Sequence, residues 1–250
     1  MVTLSLIIPC YNEETNLQKG VLDKIGNYIQ DNESFKEVLI VDDGSEDKSR
    51  DIIKKKYLSK YSKFSLIENE HKGKAMAVIT GIFKASAPYV MFSDIDLATP
   101  IEESEKLLSV AQDGSKIIIG SRKSKRVGAP VLRKIMAYGS IIIRDLIIGL
   151  HGIKDTQCGF KLFEKKAAEK IIKKLKVYKQ RGEIKNSSVS AGFDIEFLFI
   201  ATKLGYRIKE VPVSWKHVET KNVHFLNDSF EALKDILKIK YFDLKKEYDK

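Results

Sequence analysis

The chain has 250 residues, 43% hydrophobic and 31% charged, a globular balance that excludes a disordered or fibrous chain; at this length one large α/β domain buries about 70–75% of its unfolded surface. A net charge of +10 and a pI near 9.3 point to an anionic partner. No apolar run reaches the roughly 18 residues of a spanning helix, and two cysteines, Cys10 and Cys158, with no charged and apolar leader, set the expectation of an unsecreted protein from a reducing compartment.

Residues 4–9 (LSLIIP) are a buried-strand pattern that breaks at Pro9, followed by a helix expected from Asn12 or Thr15 through Leu17, Val21, Leu22 and Ile25. Residues 37–45 (EVLIVDDGS) repeat the arrangement: an apolar strand, an acidic turn, then a polar helix from about Asp47. FSLIENE (64–70) with KGKAMAVITGIFKA (72–85) makes a third unit. YVMFSDID with a helix from about Ile101 to Ala111 makes the fourth, and KIIIGSR (116–122) adds a further strand. Strands joined by crossover helices predict a mainly parallel, Rossmann-like central sheet flanked by helices. Right-handed crossovers bring the strands' C-terminal ends to one edge, where open α/β sheets bind ligands.

Four polar turns should therefore meet there: Pro9 to Glu13, Asp42 to Ser45, Asp94 to Asp96, and Gly120 to Arg122. Neither GxGxxG after the first strand nor GxxxxGK[ST] occurs, so a dinucleotide fingerprint and a P-loop are both disfavoured. Read as an extended strand end, Asp94 and Asp96 point to one face, where two carboxylates repel unless a cation relieves them. Mg2+ or Mn2+ takes one or two carboxylates and completes its shell with water and phosphate oxygens, so the pair suits a metal-diphosphate clamp. An ordinary polar turn, with Asp96 capping the next helix, fits the same spacing. Lys72 and Lys74 flank a glycine before a helix, where a cation and free amides can meet phosphate or simply be solvated. Arg122 ends its strand with a planar fork suited to phosphate.

The order IIPCYNEE, VDDGSED, HKGKAMA, SDIDLATP and GSR resembles the glycosyltransferase family 2 catalytic domain, of the GT-A fold. DTQCGFKLF (155–163), GFDIEFLFIA (192–201) and VPVSW (211–215) resemble its dolichyl-phosphate β-glucosyltransferase branch, related to the dolichyl-phosphate mannosyltransferases. The resemblance implies a single domain over 1–215, with a nucleotide-sugar-binding half at 1–122 and an acceptor-binding half at 123–215, and a membrane-proximal amphipathic region at 216–250. It implies that Pro9, Tyr11, Glu13, Asp42 and Asp43 hold the nucleotide, and that Asp94 and Asp96 carry Mg2+ or Mn2+. Lys74, Gln157 and Asp194 would bind substrate, and Arg122, Arg133 and Asp155 would serve the reaction. Where the mannosyltransferases have a serine one turn after Arg133, this chain has Ala137, and where they have a metal-binding glutamine it has Ala98, as the glucosyltransferase branch also lacks it.

The activity implied is inverting transfer of a hexose, glucose from UDP-glucose, to a polyprenyl phosphate; GDP-mannose as donor, or a hydroxyl acceptor in glycan synthesis, is the alternative. A phosphate acceptor is already anionic and needs no strong base, so Asp155, Asp194 and Glu196 are expected to position acceptor or sugar. Residues 131–150, with Arg133, Lys134 and Arg144, and 228–246 suit amphipathic helices on a bilayer surface or core-packed helices with a solvated face. Peripheral association with the cytoplasmic face of a membrane is the expectation. The basic run 167–185 could bind nucleic acid, but the acidic strand ends would repel it, so no nucleic-acid partner is expected.

Overall fold

The computed structural model describes residues 2–122, 131–178, 191–216 and 225–249. The chain opens with β1 (Leu4–Cys10), α1 (Glu14–Gln18), α2 (Val21–Ile29) and β2 (Phe35–Asp42). The expected first helix is broken in two, because Gly20 takes a left-handed φ of 77° between α1 and α2. Next come α3 (Ser49–Ile52), running into a π-helical turn at Ile53–Tyr57, then β3 (Phe64–Glu68), α4 (Lys74–Lys84) and β4 (Tyr89–Ser93). A 3-10 turn at Ile101–Glu103 leads into α5 (Ser104–Gln112), β5 (Ile117–Arg122) and α6 (Val131–Ile148). The chain continues through β6 (Phe160–Glu164), α7 (Lys165–Lys173), α8 (Ala191–Lys203), β7 (Ile208–Val213) and α9 (Phe225–Leu244).

The strands form one sheet of order β3-β2-β1-β4-β6-β5-β7. β3, β2, β1 and β4 are mutually parallel, and β5 pairs in parallel with β7. β6 runs antiparallel to both neighbours, β4 and β5, so those two point the same way. The expectation of a mainly parallel sheet therefore holds, and β6 is the strand that departs from it. Its start, paired as Phe160 with Ser93, delivers the preceding 155–159 turn to the same edge as the C-terminal ends of β1, β2, β4 and β5.

Side chains alternate across β1 to divide the core: Ile7 faces α4, α7 and α8, whereas Leu4, Leu6 and Ile8 face α1, α2 and α5. α9 packs on α6 and α8, on the Ile7 side. Arg144 is buried at 3% exposure, donating to the Leu150 and Ile153 carbonyls and to Asp145, so it ties α6 to the following turn rather than reaching toward a bilayer. Glu196 is fully buried and accepts the backbone N–H groups of Lys176, Val177 and Tyr178 and the Tyr248 hydroxyl. The expectation that it positions substrate is corrected: its acceptors are committed to structure.

Candidate active site

The first two turns brace each other. Asn12, at φ 53°, accepts the Glu46 and Asp47 amides with its side chain, while its own amide donates to Ser45 and that of Glu13 to Ser49. The Asp43 amide closes onto the Cys10 carbonyl at 2.8 Å. Asp42 is fully buried; its Oδ2 accepts the Gly44 and Ser45 amides and the Arg50 guanidinium, and its Oδ1 has no hydrogen-bond partner among the described residues. That oxygen is an unused acceptor buried beneath the turn. Asp43 is occupied differently, holding the Lys72 and Gly73 amides and the His71 ring Nδ1. His71 stacks on Tyr11 with ring centroids 4.0 Å apart. A side chain at Gly44 would stand 2.7 Å from the His71 amide, and Gly44 sits at φ 78°, so glycine is required for this close approach.

Asp94 and Asp96 lie beyond β4, in a tight turn closed by the Leu97 amide on the Asp94 carbonyl, not in the strand itself. The turn spends Leu97 at φ 52° and buries Ile95, while the Asp96 carboxylate accepts the Ala98 amide. Burial raises the Asp96 pKa; the Ala98 amide opposes that, Asp94 adds to the rise, and Lys74 counters it, with a net upward shift. Lys74, the first residue of α4, places its ammonium on Asp94. Burial works against that ammonium, but Asp94 first, then Asp194 and Asp96, raise its pKa. The local field is thus one that asks for positive charge. The donor set fits a hard divalent cation: two crowded carboxylates, with no group of three or more His, Cys, Asp or Glu among the described residues able to enclose an ion alone. A metal at Asp94 and Asp96 would therefore complete its shell with ligands from substrate and water.

Across β6, Arg122 and Asp155 form a bidentate pair at 2.7 and 2.8 Å, reinforced by the Arg122 amide on the same carboxylate. Burial pushes the Asp155 carboxyl up, but the Arg122 guanidinium outweighs it and holds the pKa below the usual carboxylate range. Glu210 on β7 fixes the turn by accepting the Lys154 and Asp155 amides. Gly159 is pressed against Asp94, whose carboxylate would lie 2.2 Å from any Cβ there. Gln157, Arg122, Asp94, Ala98 and Thr99 line a small pocket together with Trp215, whose indole is 41% exposed and 5.8 Å from the Arg122 guanidinium. Lys161, buried on β6, donates to the Cys158 carbonyl and to Asp194 at 2.8 Å, tying the first turn of α8 to the site.

The structure thus gathers Pro9, Tyr11, Glu13, Asp42, Asp43, Lys74, Asp94, Asp96, Arg122, Asp155, Gln157 and Asp194 along one sheet edge. Arg133 falls within α6, but its side chain lies outside the described residues. Lys161, Trp215 and His71 were not singled out from the sequence. The lysine interrupts an apolar strand, the Trp closes VPVSW and His71 opens HKGKAMA, so each had a visible but non-specific signal.

Residues 5–172 match the family described as Glycosyl transferase family 2. A dolichyl-phosphate β-glucosyltransferase of Trichomonas vaginalis is 33% identical over 96% of this chain and 74% of its own length, and one of Saccharomyces cerevisiae is 31% identical with the same coverage. Among solved structures, glucosyl-3-phosphoglycerate synthase from Mycobacterium tuberculosis, in complex with Mn2+, UDP-glucose and phosphoglyceric acid, aligns over 96% of this chain and 80% of its own with a TM-score of 0.68 at 16% identity. Mannosyl-3-phosphoglycerate synthase from Rubrobacter xylanophilus aligns with a TM-score of 0.67 at 12% identity, over 98% of this chain and 75% of its own. At such identities these two likenesses speak for the fold alone.

Proposed function

The chain belongs to glycosyl transferase family 2 and has the GT-A fold, and on that premise we propose that it moves glucose from UDP-glucose to a polyprenyl phosphate at a membrane surface, with inversion. The observation that carries this proposal is the likeness to dolichyl-phosphate β-glucosyltransferases over 96% of the chain. The sheet-edge geometry supplies a chemistry for it.

Tyr11, Asp42 and the Asp43-braced turn are assigned to the nucleoside, with the Asp42 carboxylate, one oxygen of which is unpaired among the described residues, beneath its binding turn. Pro9 and Glu13 shape the same loop. Asp94 and Asp96 would hold Mg2+ or Mn2+, which neutralises diphosphate charge when bound. Lys74, paired with Asp94, and Arg122, which lines the same small pocket as Asp94, are assigned to the phosphates. Arg122 uses its Nε and one Nη on Asp155, leaving guanidinium N–H groups for a phosphate oxygen. The acceptor phosphate oxygen attacks the anomeric carbon from the face opposite the leaving nucleoside diphosphate, and the glycosidic C–O bond breaks as the new one forms. An anionic oxygen needs no base. That agrees with Asp155, whose depressed pKa and bidentate pairing suit orienting Arg122 rather than abstracting a proton. Gln157 and Asp194 are assigned to the sugar and acceptor side, as is Arg133 on α6.

The test is a transfer assay with labelled UDP- and GDP-sugars, divalent metal and a short polyprenyl phosphate in detergent, run beside Asp96→Ala. Metal-dependent label in the organic phase, lost in the variant, is expected with UDP-glucose. Nucleotide release without lipid labelling would overturn the acceptor, and labelling from GDP-mannose instead would overturn the donor.

A further inference from the structure

Seven of the ten large apolar side chains exposed among the described residues sit on two helices, α6 and α9, which pack against each other. On α6 they are Ile142, Ile143 and Leu146, the last 79% exposed. On α9 they are Phe230, Leu237, Tyr241 and Leu244, spaced seven, four and three residues apart, so they form one stripe opposite the buried Ile236 and Ile239. Apolar stripes of this size left in water mark interaction surfaces.

What adjoins the stripe selects its occupant. Lys234, Lys238 and Lys245 are exposed between or just beyond its apolar residues. Lys234 pairs with Glu231 at 3.7 Å, but among the described residues neither Lys238 nor Lys245 has a carboxylate at ion-pair distance; Lys245 lies over the Tyr241 ring at 4.3 Å. A protein partner with an apolar face would leave these ammonium groups unmatched, whereas an anionic bilayer accepts apolar side chains below its headgroups and lysines at them. No helix of the described residues is long and apolar enough to cross a membrane, so the contact is one of lying on the surface. The inner face of α9 borders the start of α8, since a Cβ at Gly192, two residues before Asp194, would meet the buried Asp235 of α9 at 2.0 Å.

We propose that the outward stripes of α6 and α9 form one docking face for an anionic lipid surface, turning the acceptor side of the site toward the plane that carries the polyprenyl phosphate. This deepens the transfer reaction proposed above and rests on it for its purpose. The sequence expectation is refined as well, since Arg144 is withdrawn into the core and the basic contribution comes from α9.

The test needs no acceptor. Both native cysteines are buried, so an environment-sensitive fluorophore can be placed at Leu146→Cys, Leu244→Cys or, as control, Lys55→Cys, which is exposed beyond the opposite sheet face. With phosphatidylcholine vesicles containing phosphatidylserine, the labels at 146 and 244 should shift to the blue and be quenched by a quencher buried in the acyl region, while the label at 55 stays unchanged. The paired variant Lys238→Glu/Lys245→Glu, with unchanged circular dichroism and melting, should bind these vesicles at least about tenfold more weakly. No spectral change with vesicles, in protein that still glucosylates a detergent-dispersed polyprenyl phosphate, overturns the docking face and leaves the reaction standing. Labels at 146 and 244 that are shielded without lipid, in a protein that sediments as a dimer, overturn it in favour of a second copy. Vesicle docking with no transfer to any polyprenyl phosphate upholds the face and removes the reaction.

Discussion

The two halves of the site hold their acids in different ways. On the side of β1, β2 and β4, backbone amides meet the carboxylates of Asp42 (Gly44 and Ser45), Asp43 (Lys72 and Gly73) and Asp96 (Ala98), while Arg50 also pairs with Asp42 and Lys74 with Asp94. On the side of β5, β6 and α8 they are fixed by side-chain cations, Asp155 by Arg122 and Asp194 by Lys161. Amides carry no net charge, so Asp43 and Asp96, which meet no lysine or arginine at ion-pair distance among the described residues, keep more of their negative field than Asp42 and Asp94 do. Paired cations cancel charge, so the second group fixes Arg122 and its neighbouring turn with little net field. That difference accords with the metal-dependent donor side and the anion-accepting side proposed above.

The largest effect that tests it is at Asp96. Asp96→Ala should lower metal-dependent transfer by about 10³-fold or more, measured as label in the organic phase. Asp96→Asn should melt no lower than the parent, because burial already disfavours the ionised carboxylate there. A melting loss would place Asp96 with the structural acids and break the comparison.

On the opposite side, Arg122→Lys should reduce kcat about 100-fold, since an ammonium cannot pair with Asp155 and present a fork to phosphate together. Asp155→Asn leaves a largely buried guanidinium unpaired and should destabilise the fold by on the order of 3 kcal/mol at neutral pH. The Asp155 pKa is depressed in the folded chain, so its stabilisation is present above the ordinary carboxylate range and lost as pH falls through the depressed value. Parent and variant melting curves should accordingly converge in acid. Constant separation down to low pH would show that the pair's charge is not what holds the turn.

Smaller in scale, Trp215→Ala should raise the apparent KM for donor or acceptor by about tenfold with less change in kcat, through loss of the aromatic wall beside Arg122. Smallest of all, Tyr248→Phe removes one donor to Glu196 and should cost about 1 kcal/mol in denaturant unfolding with activity unchanged. A change in activity there would return Glu196 to the site.

The amide-held side was the legible one. Its strands are mainly apolar runs that end near Pro9, Asp42 and Asp94, and amides within three residues meet Asp42 and Asp96, so there residues close in sequence predict the geometry; Asp43, held by amides 29 and 30 residues on, is the exception. The cation-held side depends on partners 33 residues apart, which periodicity does not register. β6 was hidden for the same reason: it has five residues and carries a lysine, Lys161, in its middle, and only the tertiary pairing with Asp194 makes that burial tolerable. Glu196 and Arg144 misled in the same manner, since a charged residue on a helix reads as surface unless distant backbone groups are known to meet it.

The place of β6 in the sheet also orders how the chain assembles. β3, β2, β1 and β4 come from the first 93 residues and can pair as soon as they are made, but β5 has no place beside β4 until residues 160–164 arrive to lie between them. β5 then gains its outer partner only with Ile208–Val213. Closure of long loops slows pairing of this kind, and domains emerge from the ribosome N-terminal part first. The part of the site on β1, β2 and β4 can therefore be built while the edge of β4 is still open, and α6 gains its contact with α9 only once Phe225–Leu244 has been made. A truncation that stops before α9 bares the faces of α6 and α8 on which it packs, which makes the docking of α9 a step that guards the chain against aggregation.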